Sequence, residues 1–143
     1  MDAKRFAVLF GVITPFLGFI TAVYLAWGRG VFPIDLALLV IFFLFSGFGV
    51  TIGYHRFFSH PSFKTIRPIK YLLGIGGSMA WEGGVLDWSA NHRQHHQYSD
   101  EEGDLHSPHI YGESLWGITK GLWYAHIGWM FYNPPANHAY IPD

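Results

Sequence analysis

Cysteine is absent from the 143-residue sequence, which excludes disulfides and thiolate-bound metals and leaves nitrogen and oxygen as the ligand atoms for any ion. Charge is scarce as well. Only 13% of the residues are charged and the net charge is −1, with no basic run or stripe to follow a phosphate backbone, so nucleic acid is excluded as a partner. No internal repeat or low-complexity tract marks the chain. What is present is oily: 50% of the residues are hydrophobic, too many for an ordinary soluble surface. The 19% aromatic share, with 6 Trp and 8 Tyr, exceeds what a core of this size needs and suits a membrane interface or a pocket for an alkyl chain.

Two apolar runs dominate the first third. Residues 6–27 carry no charge and, at about 1.5 Å per residue, span roughly 33 Å as a helix, enough to cross a hydrocarbon core. A signal peptide shares the basic start, Lys4 and Arg5, but its apolar region is about 7–15 residues long and ends at a small-residue cleavage site; a retained membrane helix fits better. Residues 34–54 form the second spanning candidate, with Asp35 at the start of the run, where a helix N-terminus accommodates an acid. The Gly- and Pro-containing stretch between them predicts a tight hairpin. Two buried helices of a soluble protein would also be apolar, but two runs of this length joined by so short a turn argue against that. Lys4 and Arg5 precede the hairpin and Arg56, Lys64, Arg67 and Lys70 follow it, against Arg29 alone in the turn. The positive-inside rule therefore predicts an integral, multi-pass membrane protein with both ends of the hairpin on the cytoplasmic side.

The remainder predicts a cytoplasmic, partly interfacial helical region at 55–132. Residues 69–81 are apolar and Gly-rich but too short to span, and read as an interfacial or partly re-entrant segment. Glu82-Gly83-Gly84 breaks that run, and a helix is expected over 85–96. Residues 98–108 are polar and acidic, expected as a solvated loop; 114–132 mix aromatics with Lys120 and His126, as an amphipathic surface helix does. Residues 133–135 read as a connector. The fold class expected is thus an all-α membrane protein, a two-helix transmembrane hairpin followed by helices at the membrane surface.

The chemistry is concentrated in histidine. In Asn91-His92-Arg93-Gln94-His95-His96, spacings of three and four put the three imidazoles on one helical face within an arc of roughly 100°. Upstream, His55-Arg56-Phe57-Phe58-Ser59-His60-Pro61 places a second pair where the second apolar run ends. On an ideal α-helix those two lie about 140° apart, so the helix is expected to end or bend between them, with Pro61 favouring extended backbone just before it. A lone HxxxxH pair is weak evidence of a metal. Joined to the second run it makes His55, His60, His92, His95 and His96 candidate ligands, more than a single tetrahedral zinc needs, and suggests a dinuclear site. Nitrogen-rich ligation beside a bilayer points to iron, oxygen chemistry and a lipid substrate. Trp88, one turn ahead of His92, fits either an interface anchor or a wall of the substrate pocket. Metal-bound histidines commonly donate their free N–H to a carboxylate or carbonyl, which singles out Asp104 and His106 just after the ligands.

These motifs resemble the membrane-bound fatty acid desaturases of the acyl-CoA Δ9 type. His55 to His60 resembles the family's HxxxxH box and His92 to His96 its HxxHH box; Gly103-Asp104-Leu105-His106-Ser107-Pro108 and Trp123-Tyr124-Ala125-His126-Ile127-Gly128-Trp129 are similar to two further family stretches, the first with Leu105 where proline is usual. The resemblance implies that the five box histidines ligate two iron ions and that Trp88 lies near the acyl tunnel. Asp104, His106 and His126 are expected to support the ligands from behind. It also implies insertion of a cis double bond into a saturated acyl chain with O₂ and two electrons. The substrate would be acyl-CoA or another acyl carrier, the setting membrane lipid, and the electron donor cytochrome b5, a ferredoxin or a flavoprotein reductase. A third box, a second HxxHH, has no counterpart in residues 1–143, so the chain is expected to be a single partial desaturase domain, inactive by itself. The alternatives are a lipid hydroxylase of the same di-iron type and a non-catalytic metal-binding membrane protein.

Overall fold

The computed structural model describes residues 3–132 and 137–140; the connector expected at 133–135 lies outside them. Among the described residues every regular element is helical. The chain forms two compact units, one ending at Phe45 and the other beginning at Ser46.

In the first unit, α1 (Ala3–Arg29) runs through Pro15 unbroken. Gly30 ends it, at φ 78°, a left-handed conformation that glycine adopts without steric cost, and its N–H reaches the carbonyl of Ala26 at 2.8 Å. Pro33 then starts α2 (Pro33–Phe48), its fixed φ suiting the first helical position and its missing N–H leaving nothing unpaired there. The turn is tied by charge: Arg29 donates to both oxygens of Asp35 at 3.2 Å, and the Phe32 N–H donates to the same carboxylate at 3.0 Å. Both helices are long and apolar enough to cross a membrane, and their large side chains stay open, Phe19 at 67%, Trp27 at 91% and Phe43 at 71% exposure. Water would penalise that surface heavily, whereas lipid tails would not.

The second unit holds the site. The second of the two apolar helices passes into a π-helical segment, Gly49–Ser59, which gives way at His60. The expected break between His55 and His60 does not occur. In a π turn the N–H of one residue bonds the carbonyl five residues back, and the His60 N–H reaches His55 O at 3.1 Å. A five-residue spacing that scatters side chains on an α-helix therefore gathers them here. Helix α3 (Arg67–Met79) packs onto this segment through glycine: a Cβ on Gly49 would strike the backbone of Gly76 and Gly77, one on Gly77 the ring of Tyr54, and one on Gly53 the carbonyl of Leu73 at 2.9 Å.

Helix α4 (Val85–Tyr98) begins where Gly83-Gly84 permits a sharp turn, close to the expected start, and runs two residues beyond the expected end. Ser114 caps α5 (Leu115–Trp123), its Oγ accepting the Gly117 N–H at 3.0 Å. The helix expected over 114–132 runs unbroken from Leu115 to Tyr132 and changes winding on the way: α5, a π-helical turn Tyr124–Gly128, and α6 (Trp129–Tyr132). A short 3₁₀ turn, His138–Tyr140, lies against α4. The buried interior is small and sits under the histidines, with Tyr54 and Ala90 at 0% exposure and Ser59, Ser89 and Ser107 at 2% or less.

Candidate metal centre

Tyr54 is the post on which the histidines are mounted. Fully buried, it bonds Ser78 Oγ at 2.9 Å and the carbonyl of Gly83 at 3.1 Å, joining the π segment to the end of α3 and the turn into α4. Its ring meets Trp88 edge-on with centroids 5.6 Å apart. Because His55 follows Tyr54 directly and His92 lies one turn beyond Trp88, this packing fixes the approach of the two histidine motifs.

Four of the five box histidines converge. His55, His60, His92 and His96 each offer a ring nitrogen, and these atoms lie within 4.8 Å of one another. His60 Nε2 and His92 Nε2 are 3.1 Å apart, one imidazole donating to the other. Ligands bonded to a common ion at about 2.0–2.1 Å also stand about 3 Å apart, so the spacing fits a shared metal. Burial, followed by repulsion from His96, His55, His60 and His95, pushes the His92 pKa down to about 3. Burial and the neighbouring charges of His55, His96 and Arg93 lower His60 in the same direction. These rings are therefore neutral at physiological pH, the form in which imidazole binds metal.

His95 faces elsewhere. It groups with Asp104 and His106, again with ligand atoms within 4.8 Å of one another. Its Nδ1–H donates to Asp104 Oδ1 at 2.9 Å, which directs Nε2 outward as a metal ligand would require. The Asp104 side chain is inaccessible to solvent; it accepts the His106 N–H at 3.1 Å on Oδ1 and the Asp100 N–H at 2.9 Å on Oδ2. Burial raises its pKa, but these three hydrogen bonds outweigh that and hold it ionised, below its ordinary value. With both oxygens occupied, Asp104 acts as the orienter of His95. His106 stacks on His95 with centroids 4.4 Å apart, and burial followed by the charge of His95 lowers its pKa. His126, on the second π turn, is exposed and joins neither group.

Trp88 lies flat on His92, with centroids 4.6 Å apart and planes at 20°, its indole N–H held by Glu82 Oε2 at 2.8 Å. Sequence reasoning missed Glu82 and also Arg93, which donates through Nε and Nη2 to the carbonyl of Ser59 and through Nη1 to that of Tyr140. The Arg93 acceptors are backbone oxygens, which leave no mark in the order of residues. The position of Arg93 inside the second motif was the only available signal.

Comparison with known proteins agrees with the motifs. The chain is 40% identical over 142 residues to the hex-5-enoyl-[acyl-carrier protein] acetylenase of Moorena producens, a match covering 98% of this chain and 42% of that protein. It is 41% identical over 95 residues to a probable acyl-CoA desaturase of Schizosaccharomyces pombe, covering 66% of this chain and 18% of the relative. It is 36% identical over 104 residues to the sn-1 stearoyl-lipid 9-desaturase of Anabaena variabilis, covering 73% and 34%. The chain thus spans less than half the length of each of these relatives. No family model and no solved structure matches it. Desaturases of the acyl-CoA and acyl-lipid kinds recur among relatives that match most of its length, and a 142-residue match necessarily contains both histidine motifs; the chain belongs to the fatty acid desaturase family.

Proposed function

We propose that this chain is a partial desaturase domain contributing the first two histidine motifs of a di-iron centre, and that catalysis belongs to the complete domain. The observation that carries this reading is the convergence of His55, His60, His92 and His96, with His95 turned toward a separate position by Asp104. A 4-to-1 division of the box histidines suits two ions better than one, and a donor set of imidazoles without thiolate fits iron. His55, His60, His92 and His96 would hold one ion, and His95 would serve the other. When bound, the iron pair supplies the O₂ activation by which –CH₂–CH₂– becomes –CH=CH–, with O₂, two electrons and two protons leaving as two waters.

The chain's own residues do the rest. The neutral imidazoles of His60 and His92 bind without first losing protons, Asp104 fixes the tautomer of His95, and Trp88 closes one side of the site against His92. The substrate would be a long acyl chain on CoA, an acyl carrier protein or a glycerolipid. Two electrons would come from cytochrome b5, a ferredoxin or a flavoprotein reductase, with the motifs on the cytoplasmic side of the membrane. A second reading within the same chemistry is favoured by the 98% coverage against the Moorena acetylenase: removal of hydrogen from an existing double bond on a carrier-bound acyl chain.

The test is product analysis. The complete protein containing this chain, expressed with an electron donor in a desaturase-deficient host, is expected to give new unsaturated or acetylenic acyl chains by gas chromatography, lost on His95→Ala. Hydroxylated product, or none with any of the three carriers, would contradict the reading.

A further inference from the structure

We propose that Arg93 is a positioning residue, a fork that sets the place of His60 against His92 and His96. The inference rests on the metal-binding reading above only for its consequence; the geometry stands by itself. The π segment ends at Ser59, and like any helix end it leaves terminal carbonyls without an intrahelical partner. The Ser59 carbonyl is taken by Arg93 from the other histidine helix, through Nε at 2.6 Å and through Nη2. Ser59 is itself locked, 1% exposed with its Oγ donating to Tyr54 O at 2.7 Å.

His60 is the next residue, so the guanidinium holds the peptide from which that ring departs. The same guanidinium belongs to the residue after His92, whose Nε2 lies 3.1 Å from His60 Nε2. One rigid, planar group therefore spans both motifs. Its remaining arm, Nη1, donates to Tyr140 O at 2.9 Å and ties the 137–140 segment to the same point. A positive charge near the carbonyl end of a helix is favourable in its own right, but charge alone does not fix a ring. The fork geometry does, because two nitrogens on one carbonyl and a third on another leave the group no freedom to turn.

Charge and geometry separate in Arg93→Lys, which keeps the cation and loses the fork. The first measurement uses the metal-free chain in lipid nanodiscs with ¹⁵N-labelled histidine, at one fixed pH. In Arg93→Lys the imidazole signals of His60 and His92 are expected to move while that of His95 stays. The second is titration with Co(II) followed by visible absorption. Arg93→Lys is expected to weaken Co(II) binding by about tenfold, the usual scale for groups that orient metal ligands, and to shift the ligand-field bands. Should Arg93→Lys disturb folding, seen as lost helical circular dichroism, Arg93→Gln, which removes cation and fork together, is read by the same two measurements: moved His60 and His92 signals beside an unmoved His95 are expected, and unmoved ones would overturn the role. Unmoved His60 and His92 signals, with a wild-type Co(II) spectrum, would overturn the role. Moved signals in a wild-type background that takes up no Co(II) would uphold the fork and overturn the metal reading instead.

Discussion

Asp104 determines which nitrogen of His95 faces outward, so Asp104→Asn is expected to weaken metal binding about 10- to 100-fold while leaving the helical circular dichroism unchanged. Competition with a chromophoric chelator measures it; an unchanged affinity would remove Asp104 from the site. The metal-free histidines carry a second prediction. His92 titrates near 3 in the fold against an ordinary 6.5, so below about pH 6.5 the unfolded chain binds a proton that the folded chain refuses. Its contribution to stability is full above that pH and falls progressively toward about pH 3, and His60 and His106 act in the same sense. The thermal midpoint of the metal-free chain should therefore be lower at about pH 5 than at about pH 8, and a rise on acidification would contradict this. At this scale the clustering of the box histidines and of Asp104 with His95 was legible, because residue type and spacing are properties of the sequence. Glu82 and Arg93 were not, since their partners are an indole N–H and backbone carbonyls brought near only by folding.

The π-helical segment is where reading by α-helical angles failed. His55 and His60 looked badly placed at about 140°, yet the i→i+5 winding brings their ring centroids within 4.9 Å. Nothing in Gly49 to Ser59 announces that winding, and the segment packs against α3 and α4, elements remote in sequence. The turn at Gly83-Gly84 was legible, by contrast, because glycine there is a local signal. The packing itself can be tested with a matched pair. Gly49→Ala puts a methyl into the backbone of Gly76 and Gly77, whereas Gly74→Ala meets only the Phe58 ring at 3.8 Å, an ordinary contact. Gly49→Ala is expected to destabilise by about 1–3 kcal/mol or more through overpacking. Gly74→Ala should be neutral or up to about 1 kcal/mol stabilising through helix propensity. Thermal unfolding followed by circular dichroism compares them, and equal midpoints would show that glycine contact does not dock α3.

For the molecule as a whole, two apolar helices long enough to cross a membrane precede a histidine-bearing unit, and a bilayer would make their open faces tolerable. Arg56, Lys64, Arg67 and Lys70 follow the two apolar runs and Arg29 alone stands between them, from which the positive-inside rule predicts a cytoplasmic histidine unit. In this cysteine-free background, an impermeant thiol reagent on intact cells should label Gly30→Cys and spare Ser62→Cys; the reverse pattern would invert the topology. The central claim is that both motifs bind iron together, and elemental analysis of protein purified from iron-supplied cells tests it most directly. The account predicts iron in the wild-type chain, depleted by His92→Ala and retained in His126→Ala, whose exposed ring joins neither histidine group. Equal loss from both variants, or zinc in place of iron, would contradict it.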